Sequence, residues 1–139
     1  MLLTGGGVPQ GDPYDKGFYI EPTVFANVNP DMIIAQDEIF GPVLSVLSAR
    51  DLDDALKIAN GIRYGLSASI FTRNINAAME FARRIDAGLV RINGETAGVE
   101  PQAPFGGMKA SSSHSREQGQ SAKEFYTEIK TIYLDPAGK

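Results

Sequence analysis

The sequence has 139 residues, 42% hydrophobic and 22% charged, with net charge −4 and Lys and Arg scattered along it; this is the balance of an ordinary globular domain, without the basic footprint that nucleic-acid binding requires. No apolar run is long enough to span a bilayer, and the start lacks a basic segment followed by a hydrophobic stretch, so no membrane association is expected and the expected location is the cytoplasm. Cysteine is absent and His114 is the single histidine, which removes disulfides, thiol nucleophiles, clustered metal ligands and a hydrolase triad.

The chain opens on Leu2-Leu3-Thr4, with room for a strand end only. Gly5-Gly6-Gly7 and a polar stretch to Lys16, with Pro9 and Pro13, mark a loop. Thr23-Val24-Phe25 is a short extended piece closed by the turn signal Asn29-Pro30. Val43 to Leu47 is apolar and partly β-branched, as in a buried strand. Asp51 is placed to cap a helix, with Leu52, Ala55, Leu56 and Ala59 at helical spacing and Gly61 as the stop.

Leu66 to Phe71 is the next strand. Asn74 can cap a second helix, whose inward face is predicted to be Ile75, Ala78, Met79, Ala82 and Ile85, ended by Gly88. Leu89 to Ile92 is a third strand. Strand, helix, strand, helix, strand with short links defines an α/β fold, a βαβαβ segment with a parallel sheet and right-handed crossovers. Both helices fall near or below the ~12–15 residues at which isolated helices are marginal, so packing must hold them. Met79 is therefore assigned to the core and not to a cofactor.

Asn93 to Ser115 is long and irregular, with four glycines and two prolines; irregular loops of that size in a compact domain are usually functional or disordered. A helix is predicted over Arg116 to Tyr126, with Ala122, Phe125 and Tyr126 inward. Glu128 to Leu134 is an extended C-terminal strand bounded by Asp135-Pro136.

Three common motifs fail. Gly5, Gly7 and Gln10 miss the last glycine of G-x-G-x-x-G, and Pro9 stands where a helix would start. Gly106-Gly107-Met108-Lys109-Ala110-Ser111 lacks the Gly-Lys-Ser/Thr order of a phosphate loop, and no G-x-S-x-G elbow occurs. Asp37-Glu38-Ile39-Phe40-Gly41-Pro42-Val43 remains. Residue types alone imply a turn that ends a short helix, with Glu38 exposed and Phe40 in the core.

Glu38 to Val43, leading into a strand, resembles a signature of the aldehyde dehydrogenase superfamily. The resemblance extends through Gly17-Phe18-Tyr19-Ile20-Glu21-Pro22-Thr23-Val24, Tyr64-Gly65-Leu66-Ser67-Ala68 and Gly88-Leu89-Val90-Arg91-Ile92-Asn93. It continues in Pro104-Phe105-Gly106-Gly107-Met108-Lys109, Arg116-Glu117 and Thr127-Glu128-Ile129-Lys130-Thr131-Ile132. These segments follow the family's order from residue 2 to about 134.

In the enzymes it resembles, the glutamate matching Glu38 accepts hydrogen bonds from the nicotinamide-ribose hydroxyls. The phenylalanine matching Phe40 packs beside the nicotinamide, and Gly41-Pro42 stiffens the turn between. Phe105 matches the segment lining the aldehyde tunnel, a substrate-binding role, although a purely structural role fits it equally. Val99 stands where several relatives carry an aromatic residue. The run from Ser111 to Gly119 departs from the commoner glycine-containing form and resembles members that act on α-ketoglutaric semialdehyde (2,5-dioxopentanoate). An exposed serine loop is the plainer alternative, with His114 a surface histidine.

The family oxidises an aldehyde to a carboxylic acid with NAD or NADP. A cysteine thiolate attacks, hydride passes to the nicotinamide, and a glutamate-activated water releases the acid. The resemblance places the nucleophile, the base and the pyrophosphate-binding domain upstream of this segment. This chain alone is therefore expected to hold no catalytic residue and no metal site, and to be inactive. It reads as one partial domain, 1–139, with the catalytic-domain part to about 126 and an oligomerisation strand at about 127–134. An assembly module acting through that strand, as a homo-oligomer, is the alternative reading.

Overall fold

The computed structural model describes residues 1–113 and 115–138; His114, expected at the surface, lies outside the described residues. The chain divides into two compact units, Met1–Arg63 with Thr72–Ile85, and Tyr64–Phe71 with Asp86–Lys139.

In the first unit, β1 (Leu2–Thr4), β2 (Thr23–Phe25) and β3 (Val43–Ser45) form one sheet in that order. β1 runs antiparallel to β2 with a register shift, and β2 runs parallel to β3 through Thr23↔Val43, Val24↔Leu44 and Phe25↔Ser45. Thr23 is buried, and its hydroxyl accepts from the Gly6 amide and donates to the Glu21 carbonyl, both at 2.8 Å. That explains the glycine run without any ligand: Gly5 has φ +73°, and a Cβ there would meet the Pro22 carbonyl at 2.2 Å.

One-turn α1 (Ile33–Gln36) precedes β3, and α2 (Leu52–Asn60) and α3 (Ile75–Arg84) pack on each other. Both predicted caps are made. Asp51 accepts from the Asp54 amide at 2.8 Å, and Asn74 from Asn76 and Ala77 at 2.9 and 3.3 Å. Leu56, Ala78, Phe81 and Ile85 are buried. Arg84 joins the helices at the surface, with its Nη1 2.6 Å from both Asp53 and Glu80.

The buried face of α3 differs from the expected one. Ile75 is exposed and Met79 is 48% exposed, whereas Phe81, absent from the predicted stripe, is buried. Ala78, Phe81 and Ile85 lie at i, i+3 and i+7, and burying the ring removes more apolar surface than burying Met79.

In the second unit, β4 (Tyr64–Gly65) pairs antiparallel with β7 (Met108–Lys109). β5 (Ser67–Ile70) pairs parallel with β6 (Leu89–Ile92), in register from Ser67↔Leu89 to Ile70↔Ile92. The α/β class and the parallel pairing hold, but β3 takes β2 as its parallel neighbour and β5 takes β6. α4 (Ala122–Tyr126) is shorter than the helix predicted from Arg116, because Gln118 is extended at φ −123°, ψ 174°. Phe125 and Tyr126 are exposed, not inward, and stack edge-on against each other at 4.7 Å. From Thr127 to Leu134 the chain makes no ladder with any described residue, and Ile129 and Leu134 are 93% and 92% exposed. A strand needs a neighbour for its backbone groups, and this segment has none within the described chain.

Candidate functional site

The loop from α1 to β3 is tied at both ends. The Ser45 hydroxyl donates to the Ile34 carbonyl at 3.0 Å, and Gln36 Nε2 donates to the Pro30 carbonyl at 2.7 Å. Asp37 leaves the helix in extended geometry and meets Arg63 Nη2 at 3.0 Å, an exposed pair worth at most ~1 kcal/mol. The Val43 amide donates to the Gly41 carbonyl at 2.7 Å, closing a three-residue turn on Pro42. The Pro42 carbonyl in turn accepts from the Thr23 amide at 2.8 Å, so the turn is fastened to the sheet.

This backbone frames a cleft of about 310 Å³ lined by Ile34, Asp37, Glu38, Phe40, Gly41 and Val43, among others. Glu38 is exposed on it, as residue types implied. Phe40 is not in the core. It has φ +57°, and 91% of its surface is exposed. A bulky side chain in left-handed backbone is uncommon and points to a constraint other than packing.

An ionised carboxylate only accepts hydrogen bonds, and its two oxygens can take both hydroxyls of a diol. A free ring face offers a flat apolar wall. Glu38 and Phe40 line the same cleft and so offer a hydrogen-bond acceptor and an apolar surface side by side. Among the described residues, no group of three or more His, Cys, Asp or Glu could hold a metal ion.

Phe105 belongs to the second unit. It is half-buried, and its carbonyl accepts from the Glu117 amide at 2.9 Å. Gly106 and Gly107 beyond it are buried. The Gly107 amide donates to Ser112 Oγ at 2.7 Å, and its carbonyl accepts from Arg116 Nη1 at 2.9 Å. Ser112 and Arg116 were not among the predicted site residues. The sequence signals were the place of Ser112 in a serine-rich run near Phe105 and that of Arg116 in the Arg116-Glu117 segment of the family resemblance. Val99 is exposed.

The Aldehyde dehydrogenase family model matches residues 1–132. The chain belongs to the aldehyde dehydrogenase family, a class of NAD(P)-dependent oxidoreductases. Among its relatives, the alpha-ketoglutaric semialdehyde dehydrogenase of Bacillus subtilis is 56% identical over 135 residues, which are 97% of this chain and 28% of that protein. The 2,5-dioxopentanoate dehydrogenase of Saccharolobus solfataricus is 45% identical over 133 residues, 95% of this chain and 27% of that protein.

Among solved structures, a betaine aldehyde dehydrogenase from Staphylococcus aureus in complex with NAD+ superposes with TM-score 0.86 at 36% identity, covering 91% of this chain and 25% of that one. An aldehyde dehydrogenase of Mycobacterium tuberculosis complexed with NAD+ gives 0.84 at 38% identity, covering 99% and 28%. The chain thus spans little more than a quarter of the length of the relatives it matches.

Proposed function

We propose that this chain is the C-terminal part of the catalytic domain of an enzyme that oxidises an aldehyde to a carboxylic acid with NAD(P)+. The observation that carries this reading is the exposed Glu38–Phe40 pair on its tied turn, inside the segment the family model matches. When bound, NAD(P)+ supplies the hydride acceptor. Glu38 accepts hydrogen bonds from the two hydroxyls of the nicotinamide ribose, Phe40 supports the ring, and Gly41-Pro42 keeps the two in register. Phe105 lines the aldehyde tunnel.

The substrate class we propose is α-ketoglutaric semialdehyde, a short aldehyde carrying a distant carboxylate. Support comes from the relatives at 56% and 45% identity and from the Ser111–Gly119 run. The cytoplasm is the proposed location.

The chain alone lacks a cysteine, and two cofactor contacts do not make a binding site. A charge-assisted hydrogen bond contributes ~1.5–3 kcal/mol and one packed ring about as much, against ~4–15 kcal/mol lost on association. No turnover and no micromolar retention of NAD in equilibrium dialysis are expected. Joined behind the upstream three quarters of a semialdehyde dehydrogenase relative, the chain is expected to support NAD(P)H formation with that aldehyde. In that enzyme Glu38→Gln should raise the coenzyme KM about 10–100-fold. An unchanged KM in Glu38→Gln and Phe40→Ala, or coenzyme reduction by the chain unaided, would overturn the proposal.

Assembly through 127–134 is a second reading, favoured by the bare Ile129, Ile132, Tyr133 and Leu134. An open backbone edge beside such side chains suits strand addition by a second copy. Molecular mass in solution checks it: truncation after Tyr126 should leave a monomer where the whole chain associates. Equal masses for the two would remove this reading.

A further inference from the structure

Three backbone stretches of the second unit meet with no room for side chains. A Cβ on Gly88 would lie 1.9 Å from the Gly106 carbonyl oxygen, and one on Gly65 would lie 2.3 Å from that of Asp86. Burying backbone this deeply obliges its polar groups to find partners, and an orphaned amide is costly. Gly107 lies just before the β4–β7 ladder, which starts at Met108. Its peptide groups are met by side chains instead: Ser112 Oγ takes the amide at 2.7 Å, and Arg116 Nη1 reaches the carbonyl at 2.9 Å.

The serine bond closes a short loop. Between its ends the Ser111 amide donates to the Met108 carbonyl at 3.1 Å, Lys109 sits at φ +53°, and Ser111 Oγ accepts from the Gly65 amide at 3.0 Å. Phe105 enters this knot from one side, two residues before Gly107, with its own carbonyl held by the Glu117 amide at 2.9 Å. Rotation about the Gly106–Gly107 backbone is the freedom left to the loop that carries the Phe105 ring. Glycines would otherwise permit wide movement there. The Ser112 hydroxyl on the Gly107 amide removes it together with Arg116 on the carbonyl of the same residue.

We propose that Ser112 is a positioning residue for the aldehyde site. By clasping the Gly107 amide it fixes the direction in which Phe105 presents its ring, and so bears on aldehyde binding and not on hydride transfer. This rests on the assignment of Phe105 to the aldehyde tunnel.

The test has two parts. In the 139-residue chain, amide exchange followed by NMR should be about tenfold or more faster at Gly107 in Ser112→Ala than in the unsubstituted protein. Exchange at Leu56 should not change, and Ser112→Thr should restore Gly107 protection. In the joined enzyme, Ser112→Ala should raise the aldehyde KM about tenfold with kcat and coenzyme KM unchanged, and Ser112→Thr should recover most of the loss. A merely structural role would lower kcat and the melting temperature and raise both KM values together.

Unchanged Gly107 exchange in Ser112→Ala overturns the clasp. Faster exchange with an unchanged aldehyde KM overturns the positioning role. Phe105→Ala in the same enzyme separates the two levels. If it leaves the aldehyde KM unaltered, the assignment of Phe105 fails and the proposal falls with it; if it raises that KM while Ser112→Ala does not, only the role of Ser112 is lost.

Discussion

Replacing Phe40 separates what folding prefers from what the site requires. Its φ of +57° puts a β-carbon in left-handed backbone, which costs a non-glycine residue ~1–2 kcal/mol. With 91% of its surface exposed, the ring recovers almost none of this through burial. Phe40→Ala removes the ring and keeps the strain; Phe40→Gly removes both. Glycine also loosens the unfolded chain, which offsets ~0.4–1 kcal/mol of the gain. Phe40→Gly should therefore be more stable than Phe40→Ala by about 0.5–1 kcal/mol.

At a urea dependence of ~2 kcal/mol/M, that difference is a midpoint shift of about 0.3–0.5 M, measurable by far-UV circular dichroism on the isolated chain. In the joined enzyme both variants should raise the coenzyme KM, so the substitution that best suits the fold also disables the site. A midpoint for Phe40→Ala equal to or above that of Phe40→Gly would show that the backbone at this turn carries no cost, and would remove strain as evidence of a functional role.

Three further outcomes follow from the packing. Gly88→Ala would place its Cβ 1.9 Å from a backbone oxygen and should lower stability by ~1–3 kcal/mol, read as a drop in melting temperature. Asp51→Ala loses the bond to the Asp54 amide and should cost about 1 kcal/mol in urea denaturation, while Asp51→Asn keeps most of it. Arg50 donates to Asp54 at 3.0 and 3.3 Å and holds its carboxyl below the ordinary value of 3.8. The unfolded chain therefore takes up that proton first: the stabilisation is complete above the ordinary value and is lost as pH falls through the lowered one. Asp54→Asn should flatten this part of the acid dependence, measured by denaturation at about pH 5 and about pH 2.5.

The amino-acid sequence by itself determined the features whose partners lie within a few residues. Asp51 and Asn74 cap helices because an acceptor two or three residues before a free amide needs no distant element. Glu38 was legible only through the family resemblance, since a lone exposed glutamate has no distinguishing chemistry. Tertiary structure decided everything that rests on a choice between distant partners. It paired Val43–Ser45 with Thr23–Phe25, turned Phe81 inward in place of Met79, and left Phe40 outside the core. Apolar character states that a residue can be buried; which face and which neighbour it takes depends on the surfaces available in the folded chain. Ser112 is the sharpest case, because nothing local marks its hydroxyl until the Gly107 amide is buried against it.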